Sequence, residues 1–301
     1  MTEATATISV NSVRKSFGAI PAVDGVSFEI APGEAFGLLG PNGAGKTTTL
    51  SMLVGIIAPD AGDVRINGGD PANKATRQGI GIAPQSLSLY EELTAAENLS
   101  FFAKLYDYSG KRLAERIEWA LEFAALTDRS QHLVKTYSGG MKRRLNMAVA
   151  LIHDPQVILF DEPTVGVDPQ SRNHIFDRIE QLKDGGRTII YTTHYMEEAQ
   201  RLCDRVGIMD QGKLLAVDTV NSLLKAHGGD STVEGQLNPE CHSAEFPGLK
   251  ADGRFRFESG DPLQQVTTLA AAGVSFQTLQ IRQPDLETVF LSLTGRRLRD
   301  E

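Results

Sequence analysis

Only two cysteines, Cys203 and Cys241, occur in 301 residues. They are far apart and lack any paired metal-ligand spacing, so neither a disulfide framework nor a zinc site is expected, and a reducing compartment is. Long hydrophobic runs are missing too. The longest purely apolar stretches, such as Met147 to Ile152, fall far short of the roughly 18 residues that suggest a membrane span. Met1 to Thr7 is small and polar, with neither a basic start nor an apolar block, so no secretory signal is expected and the chain is placed in the cytoplasm. Positive charge is in deficit: 30 Lys and Arg against 38 Asp and Glu give a formal net charge of -8. No nucleic-acid partner is therefore expected, since backbone binding rests on clustered Lys and Arg. The small clusters Lys142-Arg143-Arg144 and Arg296-Arg297 with Arg299 read as solvated helix faces, or as surfaces for phosphate or an acidic partner. Internal repeats and low-complexity tracts are absent.

What is present is the composition of a soluble globular chain, 41% hydrophobic and 23% charged, with room for one large domain and a small one. The opening segment reads as strands around Ile8, Val10, Val23, Val26, Phe28 and Ile30, broken by Gly18, Pro21, Gly25 and Pro32-Gly33. Ala35 to Leu39 is a compact apolar strand that runs into a glycine-rich loop and a helix starting near Lys46. From about Leu93 to Leu126 the pattern is helical, with Leu113, Ile117, Leu121 and Ala124 on one face. Trp119 and Phe123 form a second stripe, read either as lobe core or as a docking surface. Short β-branched runs at Val157–Phe160, Thr188–Tyr191 and Val206–Met209 carry parallel-sheet character. Gly228-Gly229-Asp230 marks a boundary, giving residues 1–227 and a small α/β domain over 228–301.

Gly40-Pro41-Asn42-Gly43-Ala44-Gly45-Lys46-Thr47 matches the pattern of glycine, four residues, Gly-Lys-Thr. Glycines let successive backbone N–H groups converge on phosphate oxygens, the following helix presents its positive end to the same anion, and Lys46 adds a point charge at the β- and γ-phosphates. Thr47 offers a hydroxyl to Mg²⁺ and Asp161, ending a buried strand, a carboxylate. Glu162, one position on, is placed to orient or deprotonate an attacking water. His194 emerges after an apolar strand, where open α/β sheets bind ligands; a γ-phosphate contact and a structural histidine are the two readings. Gln85 follows another apolar strand end, Ile82-Ala83-Pro84, and by itself reads as a polar loop residue. Ser138-Gly139-Gly140 precedes a helical run. It either caps that helix or presents amides to an anion, and it has no lysine or magnesium partner of its own. Completing another subunit's site, and hence a dimer, is implied.

These residues resemble the ATP-binding subunit of ABC transporters over about Ile8 to His227. The resemblance implies an α/β fold: a P-loop NTPase core with a mixed sheet, an edge antiparallel β-subdomain and an inserted helical lobe at about 86–155, plus the C-terminal α/β domain. It makes Gly40 to Thr48 the Walker A loop and Gln85 a sensor of Mg²⁺ and of the permease. Ser138-Gly139-Gly140 becomes the signature, and Asp161-Glu162 the end of Walker B. Asp168 falls in a loop that communicates between subunits, His194 becomes a γ-phosphate switch, and Phe17 the aromatic that stacks on adenine. Tyr137, Met141, Phe17 and Val165-Gly166-Val167 depart from the commoner pattern without removing a phosphate-binding group. The family further implies ATP and Mg²⁺ as ligands, a head-to-tail dimer with a second copy or a related subunit, an integral membrane permease as partner, and a place on the cytoplasmic face of the cell membrane.

The tail from Pro284 to Arg296 resembles the end of bacterial drug-resistance and polysaccharide exporter ATPases. Leu286, Val289, Phe290 and Leu293 share a helical face there, for packing or for a regulatory contact. The expected function is an ATP-hydrolysing exporter motor. A soluble ABC ATPase acting on a ribosome or DNA complex, an importer motor and a P-loop kinase or GTPase are the alternatives. The kinase or GTPase has no need of Ser138, Glu162 and His194 together.

Overall fold

A computed structural model describes residues 7–241 and 245–295; the Arg296, Arg297 and Arg299 cluster lies outside them. The chain divides into two compact units, the second beginning at Val220. In the first, β1 (Ile8–Phe17) and β2 (Ile20–Ile30) form an antiparallel pair. There follow β3 (Ala35–Leu39), α1 (Lys46–Leu53), β4 (Ala61–Ile66), the short α2 (Lys74–Arg77) and β5 (Ile80–Ala83). Between β5 and β6 (Val157–Asp161) come α3 (Ala95–Lys104), α4 (Gly110–Phe123) and α5 (Gly139–Ala150), the inserted helices. α6 (Pro169–Asp184), β7 (Thr188–Thr193), α7 (Met196–Leu202), β8 (Arg205–Asp210) and β9 (Lys213–Thr219) complete the unit.

Two sheets result. The larger runs β5-β6-β7-β3-β8-β9, parallel except for β9, which pairs antiparallel with β8. Its central strands β3, β6 and β7 are buried at every position, which is why they read as continuous apolar runs and not as alternating ones. The smaller sheet, β2-β1-β4, buries one face of β1: Ile8, Val10 and Val13 are buried and Asn11, Ser12 and Arg14 exposed, with the register Ile8↔Ile30 and Val10↔Phe28 and a shift between Val10 and Val13. Phe28 stacks on Phe36 at 5.1 Å, so one apolar cluster serves both sheets. Each such side chain contributes roughly 1.5–3 kcal/mol by leaving water.

Among the inserted helices, α3 starts with a capping box, Thr94 accepting from the Glu97 amide while Glu97 accepts from that of Thr94. On α4, Leu121 and Phe123 are buried and Trp119 half-buried, its ring stacked on Phe123 at 5.4 Å with the Arg116 guanidinium over it at 4.2 Å. Arg116 also donates to the Leu151 and Ile152 carbonyls at the end of α5.

The second unit opens with α8 (Val220–His227), then β10 (Ser231–Leu237), β11 (Arg254–Ser259), α9 (Pro262–Ala271), β12 (Phe276–Arg282) and α10 (Leu286–Thr294). β10 lies between the other two strands, antiparallel to both. Val233, Leu237, Phe255 and Phe257 form its core. α8 packs on α10, where Leu286, Val289 and Phe290 are buried. Gly228-Gly229 closes α8 inside this unit: the Gly228 amide donates to Leu224 and Gly229 takes φ +69°.

Candidate active site

The loop from Gly40 to Gly45 joins β3 to α1 through positions that a side chain would block. A Cβ on Gly40 would stand 2.1 Å from the Met209 carbonyl oxygen, and one on Gly45 would stand 2.3 Å from that of Ala22, with φ already at +103°. Both obstacles are backbone, so neither gives way. Gly45 caps α1 without a side chain, leaving the opening amides of Lys46, Thr47 and Thr48 without a side-chain acceptor at the positive end of the helix. Pro41 and Ala44 close the loop internally by an amide-to-carbonyl bond of 3.1 Å, while Asn42 and Gly43 face solvent.

Lys46 is only 4% exposed. Its Nζ lies 2.8 Å from the Gly40 carbonyl, 3.1 Å from that of Pro41 and 3.0 Å from Glu162 Oε1. The Glu162 carboxylate is the hub of the site. Oε2 accepts from Gln85 Nε2 at 3.3 Å and lies 3.2 Å from His194 Nδ1, a buried nitrogen that makes no hydrogen bond. Glu162 itself is 5% exposed and takes φ +45°, a left-handed conformation that costs about 1–3 kcal/mol for a side-chain-bearing residue and clusters at functional sites. Its amide donates to Thr192 Oγ1 at 3.0 Å. Next to it, Asp161 accepts from Thr47 Oγ1 at 3.0 Å and from Thr192 Oγ1 at 2.6 Å.

Strand order explains the convergence. β5, β6, β7 and β3 are successive neighbours in the sheet, and their carboxyl ends deliver Gln85, Asp161 with Glu162, His194 and the Gly40 loop in turn. The oxygen donors Thr47 and Asp161 suit a hard cation that keeps water and phosphate oxygens as its remaining ligands. No cluster of three or more His, Cys, Asp or Glu able to cage a metal exists among the described residues.

Ser138, Gly139, Gly140 and Asp168 form a separate group. The Ser138 side chain caps α5 by accepting from the Met141 amide at 3.2 Å. A Cβ on Gly140 would stand 2.2 Å from Ser171 Oγ and 2.9 Å from Asp168 Oδ2. Asp168 caps α6, and the Ser171 amide donating to it at 2.9 Å holds its carboxyl below the usual range. No hydrogen bond among the described residues ties Ser138–Gly140 to the Lys46–Glu162 group. Phe17, at the end of β1, is 52% exposed, with the Lys15 ammonium 6.0 Å over its ring.

Sequence reasoning missed the residues that hold these groups in place. Thr192 bridges Asp161 and the Glu162 backbone. The Pro84 carbonyl, just before Gln85, accepts from Arg143 and Asn146 of α5, and Asn146 also accepts from the Ser88 amide. Thr192 and Asn146 each had one legible signal, a polar residue inside an apolar run.

Comparison with known proteins agrees with this geometry. The family model described as "ABC transporter" matches residues 23–165. The chain is 42% identical to the linearmycin resistance ATP-binding protein of Bacillus subtilis (strain 168), over 97% of this chain and 100% of that one. It is also 42% identical to a Nod factor export ATP-binding protein I of Rhizobium sp. (strain N33), over 97% and 98%. Among solved structures, an ATP-binding subunit of an ABC transporter superposes with a TM-score of 0.68 at 29% identity, covering 74% of this chain and 93% of the other. A dimeric ATP-binding cassette in a post-hydrolysis state with ADP and Pi gives 0.65 at 27%, covering 70% and 98%.

Proposed function

Because the chain belongs to the ABC transporter family, as an ATP-hydrolysing ATP-binding subunit of exporter type, we propose that Lys46, Glu162, Gln85 and His194 form its hydrolytic centre. The observation that carries this is the buried Glu162 carboxylate, which Lys46, Gln85 and His194 all approach within 3.3 Å. The Gly40–Thr48 loop, in which the opening α1 amides of Lys46, Thr47 and Thr48 have no side-chain acceptor, binds the β- and γ-phosphates of ATP, and Lys46 leaves Glu162 to join them. Glu162, so released, orients and deprotonates the attacking water, an assistance worth about 10²- to 10⁴-fold. His194, its ring nitrogen unbonded, contacts the γ-phosphate, and Phe17 stacks on the base. Thr47, Asp161 and Gln85 are the residues that would hold Mg²⁺. When bound, the ion supplies charge neutralisation at the β- and γ-phosphates.

The signature group, held apart from the Lys46 site in its own chain, serves the nucleotide of a second copy or related subunit in a head-to-tail dimer, with Asp168 at the contact. The first unit is the motor and the second an accessory domain. The partner is a separate integral membrane permease at the cytoplasmic face of the membrane. No helix among the described residues is long and apolar enough to cross one. Tyr90, Phe101 and Leu105, 49%, 40% and 64% exposed on the inserted lobe downstream of Gln85, offer the permease an apolar contact. The similar proteins are resistance and export subunits, which favours export over import or over work on a ribosome or DNA.

The test is to purify the tagged chain from gently solubilised native membranes and identify what accompanies it in stoichiometric amount. A polytopic protein without a phosphate loop of its own is expected; ribosomal or DNA-bound material alone would overturn the transporter reading.

A further inference from the structure

Glu198, on α7, is 3% exposed, and among the described residues no Lys, Arg or His lies within ion-pair distance of it. Three hydroxyls meet its charge instead. Thr164 Oγ1 donates to Oε1 at 2.7 Å, while Tyr191 OH and Thr193 Oγ1 each donate to Oε2 at 2.8 Å. A buried carboxylate is costly unless satisfied in this way, and an apolar side chain would fill the same space without that cost. What the carboxylate adds is a link between particular segments. Thr164 stands two residues after Glu162 in the loop that leads to Asp168. Tyr191 and Thr193 belong to β7, which ends directly before His194. The Thr193 hydroxyl also accepts from the Tyr195 amide at 2.9 Å, so the group that bonds Glu198 also closes the turn carrying His194. Burial and the neighbouring Glu198 carboxylate push the Tyr191 phenol well above its ordinary range, which keeps it a donor.

We propose that Glu198 is a positioning residue for ATP hydrolysis, locking the His194 turn and the Glu162–Asp168 loop in one arrangement through Thr164, Tyr191 and Thr193. This rests on the reading of Glu162 and His194 as catalytic. Glu198 itself touches no reacting atom; it fixes the distance between the group that orients water and the group that contacts the γ-phosphate. Misplacement of about 1 Å at such a site costs on the order of 10²-fold.

The experiment is steady-state ATPase kinetics of the full chain with Glu198→Ala, Glu198→Gln, His194→Ala and the double variant Glu198→Ala/His194→Ala. Expected is a fall in kcat of about 10- to 100-fold for Glu198→Ala with KM for MgATP within about 2-fold. Glu198→Gln, which keeps the shape and one acceptor oxygen, recovers most of the loss. The double variant loses less than the product of the two single losses, because residues acting through one unit are non-additive. Wild-type kcat in Glu198→Ala overturns the proposal, as does a KM that rises in step with the kcat loss, or a multiplicative loss in the double variant. Should Glu198→Ala not fold, Thr164→Val, which removes one donor only, is measured in its place: lower kcat at unchanged KM supports the proposal and wild-type kcat overturns it. Wild-type kcat in His194→Ala would instead sink the underlying assignment of His194, an outcome separate from any result at Glu198.

Discussion

Replacing Glu162 by Gln should tighten ATP binding while abolishing most turnover. The Lys46 ammonium lies 3.0 Å from Glu162, with the two side chains only 4% and 6% exposed. On the proposed function, ATP displaces that carboxylate as Lys46 joins the phosphates. Gln keeps the shape and a hydrogen bond but not the charge. Hydrogen bonds to charged groups contribute about 1.5–3 kcal/mol, with an ammonium–carboxylate bond at the upper end and an ammonium–amide bond at the lower, so the competing interaction weakens by about 1–1.5 kcal/mol. That corresponds to an ATP affinity about 5- to 13-fold higher. Removing a negative charge beside the γ-phosphate acts in the same direction. Because the pair is buried, added salt should change the difference little. The assay is calorimetric titration of ATP into dilute protein with Mg²⁺ chelated, which suppresses hydrolysis in the wild type and keeps dimerisation out of the isotherm. Equal affinity, or a weaker variant, would refute the idea that Glu162 holds Lys46 in reserve.

Lys46→Ala, by contrast, should lose nucleotide affinity and also destabilise the free protein by about 3–5 kcal/mol, because it leaves the Glu162 charge buried without its cation; denaturant unfolding without nucleotide checks this, and unchanged stability counts against the pair. Of the two cysteines, Cys203 is buried and its thiol is pushed up to about 12 by burial, so at pH 7.5 an aromatic disulfide reagent should titrate one thiol, Cys241, in the folded chain and both in denaturant. His153 stacks on Tyr106 at 3.9 Å, and burial holds its pKa below the ordinary value. The unfolded chain therefore takes up that proton first, so stability is full above about pH 6.5 and declines as pH falls below it. The melting temperature should drop between pH 7 and pH 5, and His153→Phe, which keeps the stack, should flatten that drop.

How much of this could be read from the residues follows from how each feature is encoded. The Gly40–Thr47 loop is contiguous, so its place between a strand and a helix is legible from its letters. Asp161 and Glu162 are legible as acids ending an apolar strand. The Lys46–Glu162 contact is not, because it joins residues that meet only when β3 and β6 flank β7 in the same sheet. Thr192 and Glu198 hide for the same reason: a threonine suits any strand, and a glutamate near the start of a helix reads as a favourable first-turn charge. The Gly228-Gly229 break is legible from its glycines, but that it closes a helix packed on α10 is a tertiary fact.

The order of strands also constrains what can move. Gln85, Glu162, His194 and the Gly40 loop hang from the ends of β5, β6, β7 and β3 like pegs on a rail about 14 Å long, three strand spacings of about 4.8 Å. The rail is held by parallel ladders, with β3, β6 and β7 buried at every position, so the intervals between pegs are not adjustable without breaking the sheet. Any difference between a resting and a working site must then be made beyond the strand ends, in side-chain rotation and loop displacement. Strand positions that are apolar and bond nothing at the site, such as Ile158, Leu159, Ile189 and Ile190, are free to accept other apolar residues of similar volume at little cost to the chemistry.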